Sequence, residues 1–131
     1  MLETSLENIC TMPLMLKMNR NQNSYSLLKT SGYLIDPDAV TEDLIEQYLR
    51  ARPHLVKAWL HHSQDQRSSP SWYLKAPDSC NPDEAGWSVG FVPRPYRRIP
   101  ADMFKDGYVA CARFIKRYAH HVLRDHLSGA S

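Results

Sequence analysis

Residues 61–75, HHSQDQRSSPSWYLK, hold two histidines, an aspartate, an arginine and four serines in one short stretch. Imidazole, carboxylate and hydroxyl groups at close quarters are the parts from which acid–base and nucleophilic catalysis are built. The spacing argues against both. A serine nucleophile usually sits on a constrained turn such as G-x-S-x-G, which sets its hydroxyl beside a base and an oxyanion hole. Ser63, Ser68, Ser69 and Ser71 have no glycine near them. A metal site requires two histidines one turn apart on a helix, as in H-E-x-x-H. His61 and His62 are adjacent, about 100° apart around a helix, and His120 and His121 repeat the arrangement. The stretch therefore reads as a helix end, with Asp65 and Arg67 fixing it against the next strand and Ser68 and Ser69 serving the turn into Pro70. No catalytic residue, metal ligand or cofactor is assigned. The chain has five glycines, none of them clustered, so no phosphate-cradling loop can be built.

Two other sets of residues carry binding chemistry. The first is basic. Arg94, Arg97 and Arg98 lie on a proline-punctuated segment, and Arg113, Lys116, Arg117 and Arg124 lie on the last helix. Arg113, Arg117, His120 and Arg124 step along one stripe by four, three and four residues. Such a stripe can follow a phosphate backbone, and Tyr96 beside the arginines can stack on a base. A net charge of +2 is low for a dedicated nucleic-acid binder, so this is the second reading of the chain. The second set is acidic and aromatic. Asp36, Asp38, Glu42, Asp43 and Glu46 form an acidic cluster, with Tyr25 and Tyr33 on the preceding run. Exposed aromatic anchors beside charge of one sign are the usual make-up of a protein-binding face. Trp59, Trp72, Trp87, Tyr73 and Phe91 are many large rings for one small domain. They serve to staple helices to a sheet, and one or two of them can anchor a partner.

The elements that position these groups follow from periodicity. Residues 1–23 are an arm or short element whose structure the sequence does not select, and residues 24–131 form one domain. SYSLLKTSGYLI (24–35) is strand-like. Thr41 caps a helix whose apolar face is Leu44, Ile45, Tyr48 and Leu49, with Glu42 and Asp43 at the positive end of its dipole. Pro53 ends that helix and opens another, carrying Leu55, Val56, Trp59 and Leu60. SWYLK (71–75) and GWSVGFV (86–92) read as a looped antiparallel strand pair, the second half-buried because Trp87, Val89 and Phe91 alternate with Ser88 and Gly90. Tyr108, Cys111, Ala112, Ile115, Ala119 and Val122 then mark the core face of a long last helix. The predicted class is α+β, a small antiparallel sheet packed against a helix pair and a long C-terminal helix.

Bulk properties bound the setting. A chain of 131 residues can bury one core without staples. Its longest apolar run falls far short of the ~20 residues that span a bilayer. Glu3, Glu7, Pro13 and Lys17 spoil the start as a secretory signal, and Cys10, Cys80 and Cys111 are odd in number and far apart, so a cytoplasmic location is expected. Charge is uneven. Residues 1–93 carry eight Lys and Arg against eleven Asp and Glu, whereas residues 94–131 carry eight against three.

SQDQRSSPSWYL, GWSVGFV and MFKDGYVACARFI, taken together over residues 41–118, resemble the small α+β immunity proteins of bacterial polymorphic-toxin loci. The likeness lies in the kind and order of elements, a helix pair, a Trp-bearing strand pair and a last helix with an A-C-A core, and in no diagnostic motif. It implies direct binding to a cognate toxin, without catalysis or cofactor, and transfers no site residues. Many inhibitors of nucleases are strongly acidic, whereas this chain ends basic. The expected function is therefore a protein-binding module, with toxin neutralisation as its leading role, followed by a nucleic-acid-associated module and then a small hydrolase or nuclease. Oligomeric state is not legible.

Overall fold

A computed structural model of the chain describes residues 2–14, 39–65, 71–79, 81–93 and 99–129, with side chains over 6–14, 39–64, 72–79, 81–93 and 99–122. The elements are α1 (Leu2–Cys10), α2 (Glu42–Arg50), α3 (His54–Asp65), β1 (Ser71–Lys75), β2 (Trp87–Val92), β3 (Asp102–Phe104) and α4 (Gly107–Gly129). The three strands form one antiparallel sheet in the order β1-β2-β3, so the class is α+β as expected. The expected strand over 24–35 lies outside the described residues, as do Tyr25, Tyr33, Asp36 and Asp38.

Local chemistry sets the helix pair. The Leu44 N–H donates to the Thr41 hydroxyl at 3.2 Å, the cap expected from the sequence. Ile45 and Leu49 turn inward from α2, and Leu55, Val56, Trp59 and Leu60 turn inward from α3. Between the helices, the Leu55 N–H bonds to the Arg52 carbonyl and the Val56 N–H to the Pro53 carbonyl. Pro53 thus opens the turn that starts α3. The N-terminal segment, whose structure the sequence leaves open, contains α1, and Ile9, Cys10 and Met12 belong to the same core as α2 and α3. The Trp59 indole N–H donates to the Cys10 carbonyl at 2.8 Å, tying α1 to α3.

Register puts the sheet's apolar face against the helices. Trp72 pairs with Phe91 and Leu74 with Val89, and the two-residue period places all four on one side. α3 and α4 pack against that sheet. Alternation predicts a half-buried β2, yet Ser88 and Gly90 are buried as well. β2 is the central strand, and the Tyr73 ring lies directly across Gly90, where any Cβ would collide with it. β3 has no counterpart in the sequence pattern. Three residues, Asp-Met-Phe, carry no alternation to read, and they pair because β2 offers an open edge.

α4 is buried around more of its circumference than its predicted face. Besides Tyr108, Cys111, Ala112, Ile115 and Ala119, the core takes in Ala110, Phe114 and Tyr118. Phe114 and Tyr118 meet Trp59 edge-on, at centroid distances of 5.9 and 5.8 Å, and this ring cluster joins α3 to α4. Among the described residues, no helix is long and apolar enough to cross a membrane.

Candidate functional site

Two of the described groups of the reactive stretch, His62 and Ser63, are engaged in the scaffold. His62 packs edge-on against Trp59 and Tyr118, with centroids 5.6 and 5.1 Å away, while His61 is exposed. Ser63 is buried, and its hydroxyl accepts the Leu74 N–H at 2.7 Å and donates to the Leu74 carbonyl at 3.3 Å. Ser63 therefore joins the end of α3 to β1. The tie between Asp65 and Arg67 expected from the sequence lies outside the described side chains. Among the described residues, no three His, Cys, Asp or Glu side chains gather where they could hold a metal ion.

Among the described residues, ion pairs divide both charged sets. Glu42 of the acidic cluster forms an ion pair with Arg113, and Glu46 forms one with Arg50. Arg50 also reaches Asp106, and these hydrogen bonds, Asp106 first, hold its guanidinium above its ordinary titration range. Asp43 is exposed. In the basic stripe, Arg113 is committed to Glu42 and, at 3.7 Å, to Asp102, with the Phe104 ring 5.7 Å from its Cζ. Lys116 is half-buried. Arg94, Arg97, Arg98 and the Arg124 side chain lie outside the described residues. The stripe drawn from helical spacing is thus broken at Arg113, where opposite charges from two other elements meet it.

One turn further along α4, the geometry changes. Trp72, Phe91, Arg117, His120 and His121 line an open cleft of about 230 Å³. Its floor is the cross-strand pair Trp72–Phe91, with ring centroids 5.2 Å apart and a tilt of 54°. α4 supplies the wall. Arg117 Cζ stands 5.5 Å from the centre of the Trp72 ring, and the His121 ring meets Phe91 edge-on at 5.6 Å. Arg117 and His120 are exposed, while Trp72, Phe91 and His121 are half-buried. The rings provide apolar area, and the guanidinium provides a permanent positive charge with forked donors.

Helical spacing places Arg117 and His120 on one stripe, and strand patterning makes Trp72 and Phe91 staples or anchors; neither joins the two groups or includes His121. Alternation within SWYLK and GWSVGFV puts Trp72 and Phe91 on their strands' inner faces, which is the signal available. That both sit beside Arg117 depends on where α4 crosses the sheet. No family model, no curated protein and no solved structure matches this chain.

Proposed function

We propose that the protein is a binding module for another protein and that the cleft between α4 and the β1–β2 pair lies at the centre of its contact face. One observation carries this reading: a tryptophan and a phenylalanine stand side by side, with an arginine over the tryptophan, in a concave and accessible place. Trp and Arg are the residues whose truncation most often costs a protein interface dearly, and half-exposed rings gain apolar burial when a partner covers them. The resemblance of residues 41–118 to small immunity proteins points to a cognate toxin as the partner and to a role in neutralising it.

A nucleic acid is the second reading, and among the described residues its basic stripe is interrupted. Backbone binding draws its strength from about 6–10 phosphate contacts. Arg113 is already neutralised by two carboxylates, which leaves Arg117 without the arginine one turn before it.

The test is capture from native lysate with tagged protein, with and without nuclease, beside a Trp72→Ala variant shown to be folded by circular dichroism. The expected result is a stoichiometric protein that survives nuclease and is lost from the variant. Nucleic acid in the eluate, released by salt, would reject the proposal.

A further inference from the structure

The cleft also constrains what the partner must present. Its volume of about 230 Å³ lies below the ~300–1,000 Å³ typical of sites that enclose a small molecule or cofactor. It is matched instead to one or two side chains. Its charge has one sign: Arg117 is permanently cationic, and no carboxylate among the described residues lines it. Among the described residues, the carboxylates paired with arginines of α4 or α2 are at Glu42, Asp102, Asp106 and Glu46, all bonded to Arg113 or Arg50 and none to Arg117.

Resting on the binding-module reading, we infer that the cleft takes an acidic segment of the partner protein, an aspartate or glutamate next to an aromatic or branched apolar residue. The apolar side chain lies on the Trp72 and Phe91 rings. The carboxylate meets the Arg117 guanidinium, which can grip both oxygens. Arg117 already stands over Trp72, so the donor fork is held near its working position before the partner arrives. Ordering costs on binding are correspondingly smaller.

The three tryptophans give this inference a direct readout. Trp59 and Trp87 are fully buried, whereas Trp72 is half-buried in the cleft, so an emission change on titration reports mainly on Trp72. The full-length protein is titrated with a capped pentapeptide in which glutamates alternate with phenylalanine and leucine. Its glutamine counterpart and a fifteen-nucleotide oligo-dT serve as the other probes. The acidic peptide is expected to saturate the signal and to bind at least about tenfold tighter than the glutamine peptide. Arg117→Glu, folded by circular dichroism, is expected to lose about the same factor. Trp72→Phe is expected to silence the emission change while calorimetry still records binding.

Equal binding of the two peptides overturns the inference, because charge would then play no part. So does an acidic peptide that fails to bind while Arg117→Glu still captures the wild-type's protein partner, and in that case the binding-module reading stands. Tighter binding of oligo-dT than of the peptide overturns both. A concentration-dependent dimer abolished by Arg117→Glu would place a second copy of this chain in the cleft and reject the partner segment.

Discussion

The Ser63 hydroxyl holds both backbone polar groups of Leu74, accepting from its N–H at 2.7 Å and donating to its carbonyl at 3.3 Å. Among the described residues β1 is an edge strand, so these two groups have no strand partner on that side. Ser63 and Leu74 are both buried, which leaves no water to replace the hydroxyl. Ser63→Ala is expected to cost about 2 kcal/mol in urea unfolding, the consequence of stranding a buried donor and acceptor. The exposed neighbour Gln64→Ala should stay within about 0.5 kcal/mol of wild type. Equal midpoints for the two variants would show that the bridge contributes nothing.

Gly107 opens α4 where no larger residue fits. Its N–H donates to the Pro82 carbonyl at 2.7 Å, and an added Cβ would come within 2.6 Å of the Trp87 ring and 2.9 Å of the Pro82 backbone. Helix propensity alone favours alanine over glycine by about 1 kcal/mol. Overpacking against a fully buried tryptophan and a backbone atom costs about 1–3 kcal/mol and should win. Gly107→Ala is therefore expected to lower the thermal midpoint. A raised midpoint would contradict the contact.

Asp106 does two jobs of unequal weight. One carboxylate oxygen accepts the Tyr108 N–H at 2.7 Å and the Val109 N–H at 3.4 Å, capping α4. The other pairs with Arg50, which is substantially exposed. Asparagine caps about as well as aspartate, so Asp106→Asn removes the ion pair and keeps the cap. It should cost less than about 1 kcal/mol, and that loss should shrink in high salt. Asp106→Ala removes both and should cost about 1–2 kcal/mol. If the two variants unfold at the same urea concentration, the ion pair rather than the cap is the stabilising contact.

Cys10 and Cys111 are buried thiols, and burial determines how they titrate. It pushes Cys10 up to about 12, against the opposing charge of Arg52. It raises Cys111 well above its ordinary value of 9.0, with a smaller contribution from Cys10. A pKa raised by folding means that the unfolded chain loses its proton first. Stability is thus fully present below pH ~9 and declines as pH rises towards the folded value, by on the order of 1 kcal/mol per pH unit per thiol. Chemical denaturation between pH 8 and 11 should show a decline that is shallower in the Cys10→Ala, Cys111→Ala double variant, whatever its stability at pH 8. With thiolates suppressed, neither cysteine should take up iodoacetamide until the chain is denatured, as peptide mass spectrometry can read.

The elements legible from residue order are those whose signal is local. Thr41 caps α2 because its hydroxyl lies within reach of an N–H three residues on, and Leu55, Val56, Trp59 and Leu60 turn inward together because helical spacing demands it. β3 leaves no such trace. Its strand character comes from the free edge of β2 and not from Asp102, Met103 and Phe104 themselves. Ser63 lacks the turn that a nucleophile needs, and its spacing says nothing further. Its bond to a residue eleven positions away, across a turn, is what explains it.

Residue order by itself determined the α+β class, the helix pair, the β1–β2 pair and part of the inward face of α4, since each depends on a period of 2 or 3.6 residues and on caps within one turn. Tertiary structure decided which of the described arginines on α4 meets carboxylates and which meets a ring. Arg113 and Arg117 are one turn apart on the same helix, yet Arg113 meets Glu42, 71 positions away, and Arg117 meets the Trp72 ring. Ion pairing and ring contact depend on distance in space, and the crossing of α4 over the sheet sets that distance.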